Sequence, residues 1–406
     1  MIECQCHICQ LISLQITVFH YLFQFLLSIE RIVEICSDRC LKETLRILWF
    51  NWRDIKNPEA GGAEVFTHEI MSRLASMGYT ISLFTAEFEN CNKFEEINNM
   101  TIIRDGGKYS VYSKARSYYK SHKDEFDVVI DEINTKPFLT PKFVKDKPIL
   151  AVIHQLAREF WFYETHFPLN YLGYHYLESK WLSYYRNIPT ITVSNSTKQD
   201  LIMMGFKNIL IVPEGLSIAP LPQVRQKGDS PVVAFLGRLK KAKLPDMAME
   251  AFNLIKQEIN SARMWVIGDG YMRKELENYY HNRDVIFHGH VKDDLKYELL
   301  SRAHLILVPG IREGWGLNVT ESNAMGTPAV VYNIPGLRDS VKDGETGLIV
   351  KENSPIGLAN STIFLLKNPD ILTKISNNAL SLSKQFSWDK SAREFDKIIK
   401  NLIKSK

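Results

Sequence analysis

Arg312-Glu313-Gly314-Trp315-Gly316-Leu317-Asn318-Val319-Thr320-Glu321-Ser322-Asn323-Ala324-Met325-Gly326-Thr327-Pro328 follows a short apolar run, Leu305 to Val308, and opens a helix. The apolar run reads as a buried strand, so this stretch is a strand-to-helix turn with Glu313 before the glycines and Glu321 one to two turns into the helix. Gly314 and Gly316 let backbone N–H groups approach a ligand, and the new helix presents unpaired N–H groups and the positive end of its dipole. Together these features form a cradle for an anionic group. The carboxylates would repel such a group, and are expected instead to accept hydrogen bonds from hydroxyls, as ribose and sugar rings require.

The same alternation extends outward. Val232 to Leu236, Arg263 to Ile267 and Val285 to Phe287 precede the stretch, and Ala329 to Tyr332 and Leu348 to Val350 follow it. Each reads as a buried parallel strand between helices, which predicts an α/β domain with a doubly wound sheet. Gly237-Arg238-Leu239-Lys240-Lys241-Ala242-Lys243 lies at the C-terminal end of the first of these strands, before a helix from about Asp246. Parallel strands share one C-terminal edge, so Arg238 and Lys243 belong beside the Glu313 loop. Two fixed cations near a helix N-terminus suit a diphosphate, whose charge grows as a bond to it breaks.

A second domain of the same kind precedes this one. Leu45 to Phe50 is apolar, Asn51 to Glu59 is a polar loop, and Ala60-Gly61-Gly62-Ala63-Glu64 leads into a helix. Phe66, Ile70, Leu74 and Met77 lie on one face of that helix, Gly78 stops it, and Tyr79 to Ala86 reads as the next strand. The glycine pair is not a Gly-x-Gly-x-x-Gly fingerprint, which weakens a dinucleotide reading; it fits a tight turn or a ligand loop. Further strands are expected at Val128 to Ile130, Ile149 to Ile153 and Thr190 to Val193, with His154 just past a strand end, as a structural or a ligand-facing residue. Between Glu159 and Arg186 aromatic residues crowd together, among them Trp161, Phe162, Tyr163, Phe167, Tyr171, Tyr176, Trp181 and Tyr185. They fit helix packing, or an acceptor-side surface suited to sugar rings and membrane interfaces. Pro220, Pro222 and Pro231 stand in a stretch without periodicity, which places a linker there.

Composition agrees with two ordinary globular domains: 406 residues, 45% hydrophobic and 24% charged. A net charge of +4, from 50 basic and 46 acidic residues, is too balanced for a protein whose partner is bulk nucleic acid. Five of the six cysteines lie within the first forty residues, so the body carries no disulfide framework and a cytoplasmic location is expected. Cys4-x-Cys6-x-x-Cys9 with His7 fits no zinc module well and reads as free thiols or a metal site. Residues 8–29 lack Asp, Glu, Lys and Arg and approach the ~20 residues needed to cross a bilayer. Gln10, Ser13, Thr17, His20, Gln24 and Ser28 form a polar stripe there, so the segment is a spanning helix, a helix lying on a membrane or docked to the protein, or an extension outside the working protein.

With these residues in place, the chain from about Leu45 to Leu402 resembles the retaining glycosyltransferases of family 4, which have the GT-B fold of two facing Rossmann-like domains. The motifs that carry the likeness are Glu313-Gly314-Trp315-Gly316 with Glu321 (the family's Glu-x7-Glu signature), Gly61-Gly62-Ala63-Glu64, Gly237-Arg238 with Lys243, Gly268-Asp269-Gly270, and Ala324-Met325-Gly326-Thr327-Pro328. Phe386-Ser387-Trp388 looks like the segment that crosses back to the first domain.

Residues 1–44 are an N-terminal hydrophobic helical extension that lies before the resemblance, and 219–231 the linker; the resemblance implies an acceptor-binding domain (45–218), a nucleotide-sugar domain (232–385) and a crossover helix (386–406). It implies transfer of a hexosyl group from a nucleotide-diphosphate sugar to a glycan or lipid-linked acceptor, with retained anomeric configuration, no metal and no cofactor. Glu321 would bind the ribose and Glu313 the donor sugar, Arg238 and Lys243 the diphosphate, and Gly62, with Gly61, would approach the phosphates from the opposite domain. Gly237, Gly268, Gly314, Trp315, Gly316, Leu317 and Asn318 would complete the donor site, and His154 matches the family's histidine near the transferred sugar. Trp315 stands where phenylalanine is common, Leu244 replaces a frequent glycine, and Pro335-Gly336-Leu337 replaces a frequent glycine pair. Two other readings stay open: another nucleotide-sugar enzyme of the same fold, such as an epimerase or phosphorylase, and a non-catalytic membrane-linked scaffold.

Overall fold

The computed structural model describes residues 44–280 and 284–404. The apolar segment 8–29 and the cysteine cluster before it lie outside the described residues. Among the described residues no helix is long and apolar enough to cross a membrane.

Two sheets carry the chain. The first contains β1 (Arg46–Phe50), β2 (Thr80–Thr85), β3 (Phe94–Ile97), β4 (Met100–Arg104), β5 (Val128–Glu132), β6 (Ile149–Val152), β7 (Thr190–Thr192) and β8 (Ile209–Ile211). Their order is β3-β4-β2-β1-β5-β6-β7-β8. The second contains β9 (Val232–Leu236), β10 (Arg263–Ile267), β11 (Val285–Gly289), β12 (Leu305–Val308), β13 (Ala329–Val331) and β14 (Gly347–Ile349), in the order β11-β10-β9-β12-β13-β14. β3 runs antiparallel to β4, and the other pairings between these named strands are parallel. Central strands such as Val232–Leu236 and Leu305–Val308 are buried at every position, because helices cover both faces of a parallel sheet.

Sequence periodicity did not anticipate β3, β4 and β8. β3 is Phe-Glu-Glu-Ile at a sheet edge, where charged side chains discourage pairing with another chain. One helix assignment needs correction as well. Phe66, Ile70 and Leu74 are buried on the helix Gly62–Ser76, but Met77 is 44% exposed because the helix has already ended there and the chain turns through Gly78.

The last helix, Trp388–Lys404, returns to the first sheet. Phe395 stacks on Trp49 of β1 with ring centroids 5.3 Å apart, Trp388 packs edge-on to Phe66 at 5.9 Å, and the Tyr79 hydroxyl donates to Asp396 at 2.5 Å. The proline-rich stretch is not a free tether. Leu216, Ile218 and Leu221 pack against the second core, and the Leu221 N–H donates to the Ala324 carbonyl at 2.9 Å.

Candidate active site

The C-terminal ends of both sheets face one cleft, the location where open parallel sheets place ligands. Its volume is about 320 Å³, and its walls include Gly61, Gly62 and His154 from the first half and Gly237, Arg238, Lys243, Glu313, Gly314, Trp315, Gly316, Leu317 and Asn318 from the second.

The first wall is built on the helix Gly62–Ser76. Buried Glu64 accepts the Gly61 N–H at 2.6 Å and Arg53 Nε at 3.1 Å, which fixes the glycine loop at the helix N-terminus. Arg238 leaves the end of β9 and rests on this loop, donating to the Glu59 carbonyl at 3.0 Å. A methyl group on Gly61 would stand 3.0 Å from Arg238 Nη2, and one on Gly62 would stand 3.2 Å from Leu317 Cδ1. The glycine pair therefore lets the second half's cation and helix start come close.

The second wall holds Lys243 and Glu313 in an ion pair. Gly316 (φ +94°) begins the helix Leu317–Ala324, and Asn318 ties that helix to β9 by donating to the Leu236 carbonyl at 3.0 Å. A Cβ on Gly314 would lie 2.9 Å from the His154 carbonyl oxygen, so this glycine serves contact between the two walls. Leu244 occupies the left-handed region, φ +50°, where the resemblance has a glycine.

His154 stands on the first wall. Its Nε2 is 3.2 Å from Glu132 Oε1 and its Nδ1 is 3.7 Å from Glu214 Oε1, with all three side chains buried. Glu132 also accepts Trp49 Nε1 at 2.8 Å and the Thr67 hydroxyl. Burial alone disfavours the imidazolium, but the two carboxylates outweigh it and push the His154 pKa up to about 9. Burial raises the Glu214 carboxyl and lowers the Arg238 guanidinium from their ordinary values.

Two expected residues lie off the cleft lining. Glu321 accepts Lys296 Nζ at 2.9 Å and the Tyr297 hydroxyl at 3.1 Å. Gly268 packs behind Gly237, whose carbonyl oxygen a Cβ on Gly268 would meet at 2.0 Å. Sequence motifs missed Glu132 and Glu214. Glu132 ends β5 and Glu214 follows β8, and a carboxylate at the C-terminal end of a parallel strand was the available signal. The aromatic segment divides: Trp161 and Tyr185 are buried, whereas Phe162, Tyr163, Phe167, Tyr171 and Tyr176 are exposed.

Paired parallel sheets with a cationic, glycine-rich cleft between them define the class of GT-B proteins. Residues 60–219 match the family described as Glycosyltransferase Family 4, and residues 220–381 match Glycosyl transferases group 1. The chain belongs to the family 4 glycosyltransferases. It is similar to an uncharacterized glycosyltransferase of Methanocaldococcus jannaschii, 25% identical over 85% of this chain and 96% of that protein. It is also similar to the D-inositol 3-phosphate glycosyltransferase of Xylanimonas cellulosilytica, 31% identical over 40% of this chain, a match that spans just 40% of that relative's length. In fold it resembles sucrose-phosphate synthase from Thermosynechococcus elongatus, with a TM-score of 0.72, 18% identity, and coverage of 89% of this chain and 100% of that one.

Proposed function

We propose that this chain is a retaining, metal-independent glycosyltransferase that moves a hexosyl group from a nucleotide-diphosphate sugar to a glycan or lipid-linked acceptor. The observation that carries this reading is the convergence of Arg238, Lys243 and Glu313 from one sheet with Gly61, Gly62 and His154 from the other on a single cleft. Arg238 and Lys243 hold the diphosphate and stabilise the charge that develops on it as the glycosidic bond breaks. Lys243 then shares its charge between the diphosphate and Glu313, which accepts donor-sugar hydroxyls. Glu321 accepts the ribose hydroxyls, oriented by Lys296 and Tyr297. The acceptor attacks from the face the leaving phosphate departs from, and that phosphate helps take its proton. Exposed aromatics around Phe162 and Tyr163 fit the acceptor side, because Glu164 of the same segment accepts the Ala242 N–H at 3.2 Å beside the diphosphate loop.

The reading is tested by thermal unfolding in EDTA with UDP, GDP, dTDP, ADP and NAD in turn. A ligand at a hundred times its dissociation constant stabilises by about 2.7 kcal/mol, which moves the midpoint by several degrees. One sugar nucleotide's diphosphate is expected to do so; stabilisation by NAD alone would overturn the proposal. Glu321→Ala is expected to weaken nucleotide-sugar binding at least tenfold, and unchanged saturation would remove the ribose assignment.

A further inference from the structure

Two polar groups on the cleft wall are left open by the fold itself. Glu214 Oε2 and His154 Nδ1 are buried and have no hydrogen-bond partner among the described residues. The ring of His154 cannot turn to find one. Its Nε2 is held by Glu132, its edge packs on Phe66 at 5.0 Å, and its carbonyl accepts the Thr197 hydroxyl at 3.0 Å. The backbone beside Glu214 is closely packed, since a Cβ on the next residue, Gly215, would meet the Trp388 backbone nitrogen at 2.3 Å. Oε1 of Glu214 and Nδ1 of His154 stand 3.7 Å apart, too far for a good hydrogen bond but within reach of one bridging oxygen. A buried acceptor and a buried donor left unpaired are destabilising, and one hydroxyl satisfies both by donating to the carboxylate and accepting from Nδ1–H. Both residues line the same cavity as Glu313 and Lys243.

We propose that Glu214 is a sugar-binding residue which, with His154 Nδ1, holds one hydroxyl of the hexosyl group being transferred. This rests on the transferase reading above. The test measures, by calorimetry, dissociation constants of the wild-type chain, Glu214→Ala and Glu214→Gln. The probes are whichever of UDP, GDP, dTDP or ADP binds the wild type, that nucleotide's hexose ester, and the monodeoxy forms of the ester. Glu214→Ala is expected to bind the free diphosphate within twofold of wild type and the hexose ester at least tenfold more weakly. Glu214→Gln, isosteric and still able to pair with a hydroxyl, is expected to recover part of that loss and serves if the alanine variant does not fold. One deoxy ester should bind wild type and Glu214→Ala alike. Folded variants that bind the intact ester as wild type does would overturn the proposal and leave the transferase reading standing. A wild-type chain that binds none of the four diphosphates would overturn both.

Discussion

Arg238 shows how much one side chain carries. It is the cation that leaves β9, crosses the cleft and hydrogen-bonds the glycine loop of the other half. Losing one preorganised stabiliser of developing charge costs about 3 kcal/mol of barrier. Arg238→Ala is accordingly expected to lower kcat about 10²-fold with a smaller change in KM, read in steady-state kinetics with the donor identified by unfolding. Glu132 acts one step further back. It holds the imidazolium of His154, whose raised pKa makes this pair's contribution to stability complete below the unfolded value of about 6.5 and lost as pH rises through about 9. Glu132→Gln should therefore cost roughly 3 kcal/mol at pH 6.5 and less toward pH 9, measured by urea unfolding of both proteins across that range. A gap that stays constant or widens would refute the linkage. Arg238 and Glu313 were legible because their motifs have fixed spacing. Glu132 and Glu214 were not, because an isolated carboxylate becomes chemistry only when folding sets it against a histidine from another strand.

Elements were legible where burial was complete. Leu305–Val308 and Val232–Leu236 are apolar throughout because helices cover both faces of their sheet, and no other reading accommodates such short runs. β3 and β4 escaped notice because an edge pair carries Glu95, Glu96, Thr101 and Arg104, and its pattern mixes core with solvent. The closing helix was legible as one that crosses back to the first domain, while the strand and side chains it packs on there were not. Phe395 is fully buried against Trp49, Trp49 donates to Glu132, and Glu132 holds His154, so packing on this helix reaches the histidine by three contacts. Phe395→Ala is expected to destabilise by about 3–5 kcal/mol, since the cavity would be lined by rigid β1 and the helix Gly62–Ser76. Denaturant titration checks this, and a loss under about 1 kcal/mol would mean the helix does not hold β1 in solution.

At the scale of the molecule, the two halves are latched across the cleft by charges that stand next to the Glu313 motif without belonging to it. Arg312 of the Glu313 loop pairs with Asp200 at 2.5 Å and Glu159 at 3.1 Å, and the Ser196 N–H donates to Asp339 at 3.2 Å. None of this was readable from sequence, because a charged residue beside a motif names no partner. Arg312→Ala is expected to loosen the latch, giving a larger radius of gyration by small-angle scattering without ligand and a several-fold higher KM for both substrates. An unchanged radius would show that other contacts hold the halves together.

The returning helix also sets an order of assembly. Tyr79 and Asp396, which touch, are separated by 317 residues of chain. Of the two sheets, the one translated earlier is thus completed later: β1 and its neighbours wait, with Trp49 and Phe66 uncovered, until the second sheet has been translated and the helix Trp388–Lys404 has emerged. Such long-range closure is slow, and it exposes apolar surface meanwhile. A nascent chain of this protein therefore has the greatest need of a chaperone around β1 and the helix Gly62–Ser76 rather than around the closing helix.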